Sequence, residues 1–382
     1  MLAYNRGSLP LAYLAFVLIV VLVAAFAVPR FFLGVLAGAR RHSPTGERGN
    51  AMEFAFTARA ASRWKSRFVL FCDHNAAAAP AEQRIERFAP EVGAAANIDV
   101  RYTRHLHLRG IFEVGPCEAR CAYPFGLIEY VRIVPGTRGT VTVLPRVWPV
   151  GRVLLAGTNA SMRDTRRDKR GADDEFTGVR EYHPGDERRH VYWRSSARLG
   201  RLVIKEFESY ATGRLIVALD FRPQQHCGQG YRSTFEYMIE IAASLAVAVS
   251  ALRHEIVFAA SRGELWERRV GRNAGDVDDF LLELARVEAD GVLEFAAFLD
   301  RLAGDLQPGD RILVICSDLN SGHTVNALAS LSAAGVSTEC LLLQARSFAP
   351  EREPVVDWVE VSDLNLRNIR GDAGLASQLL PE

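Results

Sequence analysis

Two aspartates stand where an open α/β sheet does its chemistry. RLIVALD (Arg214 to Asp220) and RILVICSD (Arg311 to Asp318) are apolar strands that each end in an acid. Strand carboxyl ends line the ligand crevice of such a sheet, and two carboxylates there suit a divalent cation, which takes oxygen ligands. The plainer alternative is that both acids cap the turns or helices that follow. Arg222 lies two residues beyond Asp220. A guanidinium there repels a metal and predicts an ion pair with Asp220 or Asp318 in its place. The other reactive residue types form no diagnostic set. Ser195-Ser196 has only His190 near it, without a nucleophile–base spacing. His105 and His107 sit two apart on a presumed strand face with no third ligand. The chain has no GxSxG, no HExxH and no GxxxxGK[ST] phosphate loop.

The richest stretch is GVREYHPGDERRHVYWRSSARLGRLVIKEFE, residues 178–208. Arginines and acids alternate there around a Pro-Gly-Asp turn, and two readings follow. In the structural one, Arg180, Arg188, Arg189, Arg194 and Arg198 pair with Glu181, Asp186, Glu187, Glu206 and Glu208. Trp193, Val191, Leu202 and Ile204 then pack, and Gly185 and Gly200 serve turns. In the functional one, part of the arginine cluster stays free for an anion or an acidic partner surface. The mixture of signs argues against a nucleic-acid patch. The formal net charge of +1 likewise supplies no global field toward nucleic acid.

These residues need elements to hold them. Leu11 to Val28 is uninterruptedly apolar, about 27 Å long as a helix and close to a bilayer's hydrocarbon thickness. A cleaved signal peptide would have a shorter apolar core, a more basic start and a small-residue cleavage site, so an uncleaved anchor is expected. A second run, Phe31 to Ala39, is too short to cross alone. Arg30, Arg40, Arg41 and Arg48 on the far side, against Arg6 on the near side, predict a cytoplasmic bulk. Six cysteines scattered through the chain without zinc spacing are expected to be reduced.

Residues 42–50 form a polar linker in this reading. Short alternating segments from 51 to 149 predict a β-sandwich-like domain. Residues 157–175 are a charged loop, within a 150–213 segment that carries the arginine-rich stretch. From 214 to 382 strands alternate with helices, which predicts a doubly wound α/β domain. A helix over Ser233 to His254 and a strand over VVDWVEVSD (355–363) are among its elements. The fold class is therefore multi-domain α and β: a membrane anchor over 1–41, a β-sandwich-like domain, then an α/β domain.

The arginine-rich stretch closely resembles the signature of the domain-of-unknown-function-58 family, whose members read REYxPGDxxRxIxWxxSARxGxLxVxxFE. LRGIFEVGP (108–116) and YPFGL (123–127) are similar to two weaker family marks. The resemblance implies a membrane-anchored protein with a β-rich region and a von Willebrand factor A-like domain, partnered by a MoxR-type AAA+ ATPase in protein maturation or assembly. Arg180, Glu181, Tyr182, Pro184, Gly185, Asp186, Arg189, Trp193, Ser196, Arg198 and Gly200 carry the signature. The A-type metal motif Asp-x-Ser-x-Ser falls on Asp220, Arg222 and Gln224, with Asp318 as the later acid. Both serines are replaced, so no metal and no other cofactor is expected. The expectation is a non-catalytic interaction protein that binds lipid through residues 11–28 and does not bind nucleic acid. The alternative is a metal-dependent hydrolase using the strand-end acids.

Overall fold

The computed structural model describes residues 9–60, 65–93, 97–151, 175–181, 192–208, 214–252, 254–262, 265–271, 273–307, 309–355, 358 and 365–380. Two compact units divide the chain: Met1–Arg146 with Asp278–Val287, and Val147–Val277 with Glu288–Glu382.

The first unit opens with helix α1 (Leu9–Leu33), almost wholly apolar and exposed along most of its length. It is long and apolar enough to cross a membrane. Gly34, at φ 58°, ends it in the left-handed conformation that glycine tolerates. Ser66 Oγ donates to the terminal Leu33 carbonyl at 2.6 Å, satisfying one acceptor that a helix end leaves open. The chain then runs directly into β1 (Leu36–His42), followed by β2 (Thr45–Glu47), β3 (Ala51–Ala60), β4 (Ser66–His74), β5 (Arg84–Val92), β6 (Ile98–His105), β7 (Gly110–Val114), β8 (Glu118–Cys121), β9 (Tyr130–Ile133) and β10 (Gly139–Leu144). The anchor boundary at residue 41 and the linker over 42–50 are thereby corrected. The second apolar run is divided: Phe31 to Leu33 extend α1, Leu36 to His42 pairs antiparallel with β3 in the sandwich, and part of the linker is β2.

Sheets β1-β3-β6 and β5-β4-β8-β9 face each other. Phe56, Ala58 and Val100 from one meet Val69, Phe71, Ala89 and Ala119 from the other. The strict alternation of buried and exposed residues along β3 is what a sandwich strand requires. An ion pair crosses this core. Arg40 donates to Asp73 Oδ1 at 2.5 Å, and the Tyr102 hydroxyl donates to Oδ2 at 2.6 Å. Burial, then the Asp73 carboxylate, pushes the Tyr102 phenol up, so it remains a donor. A third sheet, β2-β10-β7, closes over Met52, Phe54, Leu106, Val141 and Val143.

The second unit contains β11 (Glu175–Glu181), α2 (Trp193–Leu199) and β12 (Val203–Glu208), with β11 and β12 paired antiparallel. Next come β13 (Leu215–Leu219), β14 (Gly228–Gln229), β15 (Arg232–Ser233), α3 (Thr234–Ala251), β16 (Ile256–Ser261) and β17 (Leu265–Val270). Helix α4 (Ala274–Arg286), of which residues from Asp278 on belong to the first unit, precedes α5 (Phe295–Ala303), β18 (Arg311–Ser317), α6 (Gly322–Ala333), β19 (Ser337–Leu343), α7 (Ala345–Phe348), β20 (Asn365–Ile369) and α8 (Leu375–Leu379) of the second. A six-stranded sheet in the order β17-β16-β13-β18-β19-β20 is its spine, parallel except for β17. Helices α5 and α6 bury Phe298, Leu299, Leu328 and Leu331 against Ile216, Ala218, Val314 and Cys316. Alternate residues of a strand face opposite ways, so Leu215, Val217 and Leu219 point to the other face, where α3 packs on β16 and β18. Apolar content on both faces explains why these strands read as continuous hydrophobic runs.

Ser233 caps α3 as expected, its hydroxyl accepting from the Glu236 amide at 3.2 Å. Among the described residues the last strand is NLRNI; most of the segment VVDWVEVSD, like the loop over 157–174, lies outside the described residues. NLRNI pairs parallel with β19 and so extends the sheet at that edge.

Candidate functional site

The strand order reverses between β13 and β18. Each neighbours the other, while their following strands lie on opposite sides. In an open α/β sheet this is the point at which a crevice forms at the carboxyl ends. Asp220 follows β13 and is fully buried, and Asp318 follows β18.

The two acids do not converge on a shared ion. Asp220 takes the Arg222 guanidinium in a two-point grip, Nε to Oδ1 at 3.0 Å and Nη2 to Oδ2 at 2.9 Å. The Arg222 amide also donates to Oδ1 at 3.1 Å. Asn320 Nδ2 donates to Oδ2 at 3.0 Å, Arg222 Nη2 donates to Asn320 Oδ1, and Thr324 Oγ1 donates to that same oxygen at 3.2 Å. Asp318 instead accepts from the Ala345 amide at 2.8 Å, capping α7, and burial pushes its carboxyl above the usual range. Of the two ion pairs open to Arg222, the one with Asp220 is formed. Gln224 lies exposed on a short 3₁₀ turn, Pro223–Gln225, and brings no ligand inward. A divalent ion on Asp220 would need the place that the guanidinium holds, so these residues do not fit an A-type metal. Among the described residues no group of three or more His, Cys, Asp or Glu side chains could hold an ion.

Three further residues fix this loop. His226 Nε2 donates to the Asp220 carbonyl at 2.7 Å, which leaves Nδ1 to accept from Thr234 Oγ1 at 3.1 Å. Burial holds His226 below its ordinary value, so the ring is neutral. Gly291 donates its amide to the Phe221 carbonyl at 2.8 Å. A Cβ there would lie 2.5 Å from the Ser261 carbonyl oxygen and 2.7 Å from the Phe221 carbonyl carbon, so only glycine permits the approach. Asn320, His226, Thr234 and Gly291 escaped the sequence reading. Asn320 had a usable signal, two residues past Asp318 on the same turn, whereas the others are joined to the site only by the fold.

Beyond Asp318 a cavity of about 380 Å³ opens at the ends of β18, β19 and β20, lined by Asp318, Gln344, Arg346, Ser347, Pro354, Arg370 and Asp372. Arg370 pairs with Asp372 at 2.6 Å. Arg346 is exposed and has no side-chain partner among the described residues. Among the described residues the rim thus offers one uncommitted cation beside a neutralised pair.

The signature stretch is partly described. Arg180 and Glu181 lie in β11, while Tyr182, Pro184, Gly185, Asp186 and Arg189 lie outside the described residues. Ser196 is buried, Arg198 is exposed, and Gly200 ends α2 at φ 64°. The expected packing of Trp193 and Leu202 is corrected: Trp193 is 65% exposed and Leu202 45%. Helix α2 is only two turns long, and of its described side chains the one it buries is Ser196.

Residues 178–364 match the model of a family described as "Protein of unknown function DUF58", which agrees with the resemblance carried by the arginine-rich stretch. No curated protein matches the chain. Among solved structures, the CARDB domain of a Pyrococcus furiosus protein is similar at 7% identity over 28% of this chain and 93% of that one, with a TM-score of 0.21. Proximal thread matrix protein 1 from the mussel byssus is similar at 11% identity over 44% of this chain and 45% of that one, with a TM-score of 0.31. Scores this low bear on neither fold nor function.

Removing the guanidinium leaves an enclosed carboxylate unpaired, which typically costs about 3–5 kcal/mol. Arg222→Ala is expected to lower unfolding free energy by that order, and Arg222→Lys, which keeps the charge but not the fork, by less; denaturant titration of the detergent-solubilised chain measures both. His226 supplies a pH dependence. Its folded value is depressed from an unfolded value of 6.5, so its contribution is complete above that pH and is lost as pH falls below it. Between pH 6.5 and the depressed folded value, this one group lowers stability by up to about 1.4 kcal/mol per pH unit. His226→Gln should flatten that part of the profile.

Proposed function

We propose that this chain is a membrane-tethered, non-catalytic interaction protein whose α/β unit has the von Willebrand factor A architecture. In this reading α1 crosses the bacterial inner membrane and the bulk of the chain faces the cytoplasm. The crevice end of the sheet docks a MoxR-type AAA+ ATPase during maturation or assembly of other proteins.

The observation that carries the reading is the Arg222–Asp220 grip. Where an A-type motif would hold a metal, the chain's own cation occupies the acid, and among the described residues the cation without a side-chain partner at the rim is Arg346. An acidic partner side chain can meet Arg346 directly, with no ion between them. Two features support the architecture: the reversal of strand order beside Asp220, and helices on both faces of the sheet. Support for the orientation comes from Arg30 in the last turn of α1 and from Arg40, Arg41 and Arg48 beyond it. The exposed Trp193 adds an aromatic group of the kind that dominates protein interfaces.

Affinity purification of the full chain from mildly solubilised membranes tests this. An AAA+ ATPase should co-purify, and Arg346→Glu should reduce its recovery at least several-fold while the chain stays folded. Recovery of no ATPase, or undiminished recovery with Arg346→Glu, contradicts the docking site.

A further inference from the structure

The connection between β8 and β9, residues 122–129, reads AYPFGLIE. It carries large apolar side chains outward: Tyr123 is 40% exposed, Phe125 47% and Leu127 61%. Single exposed apolar residues are ordinary on a protein surface, whereas a contiguous group calls for an explanation. Gly126 sits at φ 68° with nothing near its Cβ position, so it shapes the tip and packs against nothing.

This turn stands against the end of α1. The Tyr123 ring is 5.5 Å from Phe32 and stacks on Phe68 at 3.9 Å. Helix α1 packs on β4, β8 and β9. Ala25, Pro29 and Leu33, four residues apart, are its buried positions. The covered face therefore reaches back from Leu33 to Ala25, roughly 12 Å at 1.5 Å per residue. Arg30 and Arg132 lie over the Tyr130 ring at 5.6 and 5.7 Å, and Arg132 also donates to the Gly34 carbonyl. Tyrosine flanked by arginine where an apolar helix ends is the residue mix of a membrane–water boundary.

We propose that the β8–β9 turn enters the lipid interface beside α1, with Phe125 and Leu127 among the upper acyl chains and Arg30 and Arg132 at the level of the phosphates. The inference rests on the reading of α1 as a membrane span. Given that span, the turn's contact with Phe32, two residues past Arg30, places its apolar tip at the bilayer surface. Lipid is the occupant because the patch continues the exposed apolar surface of α1 itself.

All six native cysteines are buried, so an introduced surface cysteine can be labelled selectively. The full chain carrying Phe125→Cys, or Leu127→Cys as a second site, is labelled with a polarity-sensitive fluorophore. It is then reconstituted into phosphatidylcholine–phosphatidylglycerol vesicles. Leu18→Cys in α1 and Glu82→Cys on the exposed turn after β4 serve as references. Quenching is compared between lipids with a nitroxide near the acyl-chain head, lipids with one near its middle, and aqueous iodide. The turn labels should be quenched at least two-fold more by the shallow nitroxide than by the deep one. The label at 18 should show the reverse, and the label at 82 should respond to iodide alone. Iodide quenching of the turn labels without lipid quenching, while 18 is lipid-quenched, overturns the turn's insertion and leaves the anchor standing. Turn labels shielded from both lipid and iodide overturn it in favour of a covering protein. Absence of lipid quenching at 18 overturns the anchor and the inference together.

Discussion

A carboxylate shut away from water needs a positive charge and a partner for each oxygen. Asp220 is enclosed at the one place where the sheet opens, and Arg222 meets that need from two residues away. The rest of the crevice follows from this contact. The chain must turn back within two residues for the guanidinium to reach. That turn is held by His226 on the Asp220 carbonyl and by the Gly291 amide on Phe221. Asn320 links the pair to the neighbouring strand end and Thr324 supports it from α6. With Asp220 neutralised internally, the charged groups that line the cavity at the rim among the described residues are Asp318, Arg346 and the Arg370–Asp372 pair.

The first unit uses the same chemistry for a different end. Arg40 and Asp73 sit between the two sheets of the sandwich with exposures of 3% and 0%, and Tyr102 fills the remaining acceptor. Read along the sequence, Arg40 counts among the positive charges flanking an apolar helix; in the fold it is a core residue joining β1 to β4. Replacing such a pair by apolar residues is often neutral for stability, so its value here lies in register. A one-residue slip of β1 would carry Arg40 out of the core.

How far the molecule could be read from its residues differs by region. The apolar helix, the alternating strands of the sandwich and the strand–helix alternation of the second unit are periodic signals, and each appears close to its expected place. Boundaries were harder where glycine acts. Gly34 ends α1 and releases Leu36 to His42 into a sheet, although the apolar run continues without a break in composition. The acids at the strand ends were visible because sheet topology dictates where strand ends lie, and the charge of Arg222 excluded a serine-type ligand set on sight. Asn320 and Gly291 reach the site across about 100 and about 70 residues of chain, and Thr234, though only eight residues from His226, meets it through a turn that carries no diagnostic motif. Trp193 was misread because size and apolarity predict burial in general, but a two-turn helix has little surface with which to bury it.

The account stands on Arg222 taking the place that a metal would occupy in an A-type site. Isothermal titration calorimetry of the full chain in detergent with Mg²⁺ and Mn²⁺ tests this most directly. The account predicts no saturable heat from either ion. Micromolar binding that disappears in Asp220→Ala would contradict it.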